Sequence, residues 1–208
     1  MNIKSFSLGP LGTNCYILYK GNKAVIIDPG AEGEKVMKWL STNKLQPLAI
    51  LLTHAHFDHI GAVDLLRNSY DIKVYMHKDE KLWLENPSLN GSLLFIGEEI
   101  VTSAPDVLLE SGPLMLESFK FEVIHTPGHS PGSVSFLMHQ EKLIISGDVL
   151  FKRGIGRTDL PGGDYVVIQD SIRNKLYQLE HDIRVFPGHG PATTIGEEKQ
   201  LNPFVPEN

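Results

Sequence analysis

The segment "PLAILLTHAHFDHIGA", residues 47–62, constrains the fold of this chain more than any other. Leu48 to Leu52 is continuously apolar, the pattern of a strand buried on both faces. Such a strand needs a layer of structure above and below it, so the chain is expected to fold in layers. Directly behind it, His54, His56, Asp58 and His59 fall within six positions. Residues two apart in extended backbone project the same way, so His54 and His56 can address one cation. Asp58 and His59, at the turn into a helix, can address a second. A solvated loop explains one such histidine, but not four donors at the end of a buried strand.

Around this strand the chain alternates. Ile3 to Leu8, Cys15 to Tyr19 and Ala24 to Ile27 read as strands, separated by the turn formers "GPLGTN" and "KGNK". Val36, Met37 and Leu40 recur at helical spacing and predict a helix over about 33–42. A second helix is expected over Ile60 to Leu66, a strand over "IKVYMH" and a third helix over "KDEKLWLEN". Residues 86–113 are poorly periodic, with Gly, Pro and Ser scattered through them, and suit a covering loop. "FKFEVIH", "SVSFLMH" and "KLIISGD" then read as strands, Tyr165 to Leu179 as a helix and "IRVFPG" as a last short strand. This order predicts an α/β fold of two sheets packed face to face with helices outside, in one domain over residues 1–208.

Three more donors end apolar segments: His129 in "HTPGHSPGS", Asp148 in "LIISGDVLF" and His189 in "VFPGHGPA". Each lies beside a Gly or Pro that re-aims the chain at a strand end, where α/β folds collect ligands. Imidazole and carboxylate without sulfur suit Zn(II), with Fe and Mn as alternatives. Asp148 can bridge two cations through its carboxylate. Asp28 in "VIIDPG" either orients a ligand histidine or starts the turn. His77, His125, His139 and His181 read as structural or surface residues, and Cys15, the only cysteine, as a small buried hydrophobe.

Composition excludes several classes. No apolar run approaches the roughly 20 residues of a membrane span. The start of the chain lacks the basic region and apolar block of an export signal, so a cytoplasmic location is expected. A formal charge of −6 without any Lys/Arg run argues against a nucleic-acid partner.

"IIDPG", "LTHAHFDHIGA", "TPGHSPGSVSF", "SGDVLFKRGIGRTDLPGG" and "FPGHGPATTIGEE" together resemble the metallo-β-lactamase-fold hydrolases, and within them the short glyoxalase II-like bacterial branch. The resemblance implies an αββα sandwich of mixed sheets and two divalent metal ions, Zn2+ before Fe or Mn. It assigns His54, His56 and His129 to the first metal, Asp58, His59 and His189 to the second, and Asp148 to both. It also implies a metal-bound hydroxide attacking a small thioester such as S-lactoylglutathione or a bacterial-thiol analogue, with Asp58 orienting the hydroxide and accepting a proton. The chain would act as a monomer or homodimer.

Arg157, after the glycine pair Gly154 and Gly156, occupies the place of a basic residue that holds a glutathione carboxylate in glyoxalase II. A salt bridge to Asp159 is the structural alternative. Long glyoxalase II enzymes carry a helical domain after this region, whereas only a short tail follows His189 here. Persulfide dioxygenases are similar in the same core and imply a different outcome, one iron held by His54, His129 and Asp148. β-Lactam hydrolysis is not expected, because Asp148 stands where many true lactamases carry cysteine.

Overall fold

The alternating strands at the start of the chain form an antiparallel meander. β1 (Asn2–Leu8) pairs with β2 (Thr13–Lys20), and β2 with β3 (Lys23–Ile27). After α1 (Gly33–Thr42) the sheet turns parallel with β4 (Gln46–Leu51), the buried strand that leads into the histidine cluster. Then follow α2 (Phe57–Ile60), α3 (Val63–Tyr70), β5 (Lys73–His77), the short α4 (Ser92–Ile96) and β6 (Val107–Leu109), giving a six-stranded sheet in the order β1-β2-β3-β4-β5-β6. In this computed structural model, which describes residues 1–206, these elements make up one of two compact units, Met1–Leu109. Residues 207–208, the end of the expected domain, lie outside the described residues.

The first unit is held by a core in which Val36 and Leu40 of α1 and Val63 and Leu66 of α3 meet Ile17, Ile26, Ile50 and Val74 of the sheet. All eight are fully buried, and each large aliphatic side chain so placed contributes roughly 1.5–3 kcal/mol of transfer free energy.

The second unit carries the sheet β14-β13-β10-β9-β8-β7. Its strands are β7 (Gly112–Leu116), β8 (Phe119–His125), β9 (Val134–Met138), β10 (Leu143–Gly147), β13 (Arg184–Pro187) and β14 (Thr193–Thr194). The β10–β13 pair is parallel and the rest antiparallel, so this sheet is mixed as well. A small ribbon, β11 (Leu150–Phe151) with β12 (Gly154–Ile155), follows β10. The α5 helix (Tyr165–Asn174) starts at Asp164, whose carboxylate accepts the N–H groups of Val166 and Val167 at 2.8 and 3.0 Å. Ile168 and Ile172 bury its inner face against Leu137, Ile144 and Val185. The last helix is α6 (Ile195–Leu201). Among the described residues no helix is long and apolar enough to cross a membrane.

Several expected elements differ. The helix expected over Ile60 to Leu66 is broken at Gly61 into α2 and α3. The N–H of Ala62 turns away to the carbonyl of Pro29 at 2.9 Å, and a Cβ on Gly61 would lie 2.4 Å from the carbonyl oxygen of Gly30. "KDEKLWLEN" yields only a 3-10 turn, Lys78–Glu80, followed by further turns in which Glu80, Trp83 and Leu84 are buried. Residues 86–113 contain α4, β6 and the start of β7 rather than an irregular cover. Buried Asn90 organises them, its amide donating to the carbonyls of Trp83 and Ile100 while its Oδ1 accepts the N–H of Ser92. The α5 helix ends at Asn174 instead of Leu179, passing into a 3-10 turn at Leu176–Gln178.

Candidate metal centre

The first set of donors sits where β4 ends. His54 and His59 are fully buried and His56 nearly so. The ring of His54 lies 4.8 Å from that of His56 and 4.1 Å from that of His59, centroid to centroid. Asp28 organises them from 25 residues upstream of Thr53. Its Oδ1 accepts the N–H of Thr53 at 2.8 Å, and its Oδ2 accepts the Thr53 hydroxyl at 2.6 Å and Nδ1–H of His59 at 3.0 Å. The Thr53 oxygen, having given its proton to Asp28, accepts from Nδ1 of His54 at 3.1 Å. Both rings are thus set as Nδ1–H tautomers, which leaves Nε2 as the nitrogen that could bind a metal. Of the two roles open to Asp28, the geometry supports orienting ligand histidines, although its φ of 51° also makes it a turn residue.

Asp58 is fixed separately. The Thr13 hydroxyl donates to its Oδ2 at 2.6 Å, and the same oxygen lies 3.6 Å from Nε2 of His59. Two ligands on tetrahedral vertices around a zinc-sized ion, each at about 2.1 Å, would be about 3.4 Å apart. The backbone beneath is packed tightly: a Cβ on Gly30 would fall 1.6 Å from the carbonyl oxygen of Asp58. The glycine of "IIDPG" is therefore required by close approach.

In the second unit, Asp148 follows the left-handed Gly147 at the end of β10, and Gly188 donates its N–H to the Gly147 carbonyl at 2.8 Å, tying the end of β13 to the same place. This brings Asp148 Oδ2 to 3.7 Å from Nε2 of His129 and 3.4 Å from Nε2 of His189. Nδ1–H of His129 donates to the Arg157 carbonyl at 2.8 Å, again leaving Nε2 for a cation. Phe151 meets the His189 ring edge-to-face at 6.2 Å.

The Arg157 guanidinium forms a two-bond fork with Asp159 at 2.7 and 2.8 Å, the structural alternative of the two weighed from the sequence. That fork holds the Asp159 carboxyl down at about 2. Arg157 meets His129 through its backbone carbonyl. The four histidines outside the set have other partners: His77 with the Asp79 N–H, His125 with the Pro131 carbonyl, His139 with Glu122 and His181 with Lys199. Thr13, Thr53 and Glu80, whose Oε2 accepts the N–H of Ala55 at 2.7 Å, escaped the sequence reading. Thr53 carried the one usable signal, a hydroxyl placed directly before the first candidate ligand.

Cys15 is fully buried, and burial together with the charge of Asp28 pushes its thiol well above the ordinary range. It supplies no thiolate at neutral pH. Cys15→Ala is expected to leave catalytic activity unchanged and to cost about 1 kcal/mol of stability, read from parallel rate and denaturant measurements.

Imidazole and carboxylate donors at strand ends of two mixed sheets define a metal-binding protein of the metallo-hydrolase class. The chain belongs to the metallo-beta-lactamase superfamily, whose sequence pattern matches residues 8–189. It is 47% identical over 206 residues to the probable metallo-hydrolase YqgX of Bacillus subtilis, covering 99% of this chain and 98% of that one. It is 38% identical over 208 residues to the hydroxyacylglutathione hydrolase GloC of Haemophilus influenzae, covering 99% and 98%. Among solved structures, the BLEG-1 B3 metallo-beta-lactamase superposes with a TM-score of 0.97 at 51% identity, covering 98% of this chain and 99% of that one. TTHA1623 in a di-iron-bound form superposes with a TM-score of 0.85 at 42% identity, covering 97% and 99%. In a chain of this family the two His/Asp clusters fit a dinuclear divalent metal site and leave the identity of the metal undetermined.

Proposed function

We propose that this chain is a dinuclear metal hydrolase that cleaves a small thioester of the hydroxyacylglutathione type. The dinuclear reading is carried by Asp148, a single carboxylate oxygen facing the Nε2 atoms of two histidines. His54, His56 and His129 would hold one metal, Asp58, His59 and His189 the other, and Asp148 both. The full-length likeness to GloC supports the substrate class. We assign zinc before iron or manganese, a cytoplasmic location, a monomer or homodimer, and one functional domain across both units, in keeping with the superfamily match over residues 8–189.

Bound divalent cations would supply Lewis acidity, polarising a carbonyl and acidifying water. The chain's own residues do the rest. Asp28 and the Arg157 carbonyl fix the tautomers of His54, His59 and His129. Asp58, its Oδ2 held by Thr13, orients the attacking water and accepts its proton. No side-chain nucleophile is needed, in keeping with the inert Cys15.

Arg157 is proposed to hold a substrate carboxylate by exchanging it for Asp159. An exposed ion pair contributes only about 0–1 kcal/mol, so the exchange is inexpensive. Arg157→Ala is expected to raise KM for a glutathione thioester roughly tenfold at nearly constant kcat, and Asp159→Ala to lower it. Unchanged KM in both variants would leave the fork with Asp159 as the whole role of this side chain.

The test of function pairs elemental analysis of the purified protein with three assays: S-lactoylglutathione hydrolysis, β-lactam hydrolysis and persulfide-dependent oxygen uptake. Two metals per chain with thioester cleavage is the expected result. The likeness to BLEG-1 favours β-lactam hydrolysis as the second reading, and turnover of the lactam alone would replace the first. One iron with oxygen consumption would sink both hydrolytic readings.

A further inference from the structure

The backbone N–H groups on either side of His54 both end on carboxylates. Asp28 takes that of Thr53 at 2.8 Å, and Glu80 takes that of Ala55 at 2.7 Å. Glu80 lies in the turn after β5, 25 residues beyond Ala55, and is fully buried, as is Ala55 itself. Ala55 is the residue that joins His54 to His56. A hydrogen bond to its N–H therefore fixes the peptide that sets the separation and direction of two imidazoles. Removing charge from water is costly, and a neutral side chain would satisfy one N–H equally well. In its ionised form the carboxylate adds negative charge beside the backbone that carries two proposed ligands, and a cation bound there would favour that form.

We propose that Glu80 is a positioning residue for the metal centre, holding His54 and His56 at ligand spacing and contributing charge that tightens metal binding. The proposal rests on the metal-centre reading above.

The test uses the full-length protein, stripped of metal and titrated with Zn(II) against a chromophoric chelator, with metal-free thermal melts in parallel. Glu80→Gln keeps an acceptor for the Ala55 N–H and loses the charge, whereas Glu80→Ala loses both. Outer partners of ligands typically account for 10–100-fold in affinity, so about tenfold weaker binding is expected for Glu80→Gln and about 100-fold for Glu80→Ala. The metal-free melt of Glu80→Gln should stay within about 4 °C of wild type. Wild-type affinity in Glu80→Gln would overturn the proposal while leaving the metal centre intact. So would a metal-free Glu80→Gln that is largely unfolded, because Glu80 would then serve the fold alone. A wild-type protein that takes up no zinc, iron or manganese would sink the metal-centre reading itself.

Discussion

Asp148→Ala is expected to lower thioester turnover by about 1,000-fold or more and to reduce bound metal from two ions to one, with the fold retained. The rate follows from the position of one oxygen. Asp148 Oδ2 faces Nε2 of His129 and of His189, so its loss removes the ligand proposed to serve both cations. Lewis-acid stabilisation of a transition state is worth several kcal/mol, and each 1.4 kcal/mol is a factor of ten in rate. The fold should survive because Asp148 lies beyond the end of β10, whose apolar residues Leu143, Ile144 and Ile145 make the core contacts. Asp148→Asn separates shape from charge: it keeps the side-chain volume and should still lose most of the activity. Retention of more than about a tenth of wild-type turnover in Asp148→Ala would exclude a bridging role. Wild-type rates in the parallel Cys15→Ala protein would show that the loss belongs to metal chemistry and not to thiol chemistry.

The histidine cluster could be read from sequence because it is short-range. Four donors in six residues behind a buried strand need no tertiary information, and His129, Asp148 and His189 each mark a strand end by the glycine or proline beside them. The groups that orient these donors are long-range. Thr13 reaches Asp58 across 45 residues, Asp28 reaches His59 across 31 and Glu80 reaches Ala55 across 25. Nothing local distinguishes Glu80 from the acids around it. The same limit explains the misread helices. Periodicity predicts which face of a segment is apolar, but the break at Gly61 comes from the Pro29 carbonyl and the backbone of Gly30, which belong to another turn. Residues 86–113 lacked periodicity because buried Asn90, rather than an apolar stripe, organises them. The sheets were legible for the opposite reason, since their strands are apolar on the scale of single residues.

The two glycines of "RGIGR" should respond very differently to the same substitution. Both precede Arg157 in the loop that leaves the end of β10. The structure gives Gly156 a more exacting role: a Cβ there would lie 1.8 Å from the Asp148 carbonyl oxygen and 3.0 Å from Nδ1 of His129. Alanine at 156 must therefore push aside the backbone of one proposed ligand and crowd the ring of another. A displacement near 1 Å at a reacting centre costs roughly 100-fold in rate, and overpacking adds about 1–3 kcal/mol of destabilisation. Gly156→Ala is accordingly expected to lose about 100-fold in turnover and to bind metal more weakly. At Gly154 the same Cβ would meet only Phe151, at 3.6 Å, an ordinary contact. Gly154→Ala should thus keep nearly full activity and metal content. Equal losses in both variants would point to loop flexibility instead. A selective loss at 156 would show that the glycine is there so that Asp148, His129 and the Arg157 carbonyl can share one small volume.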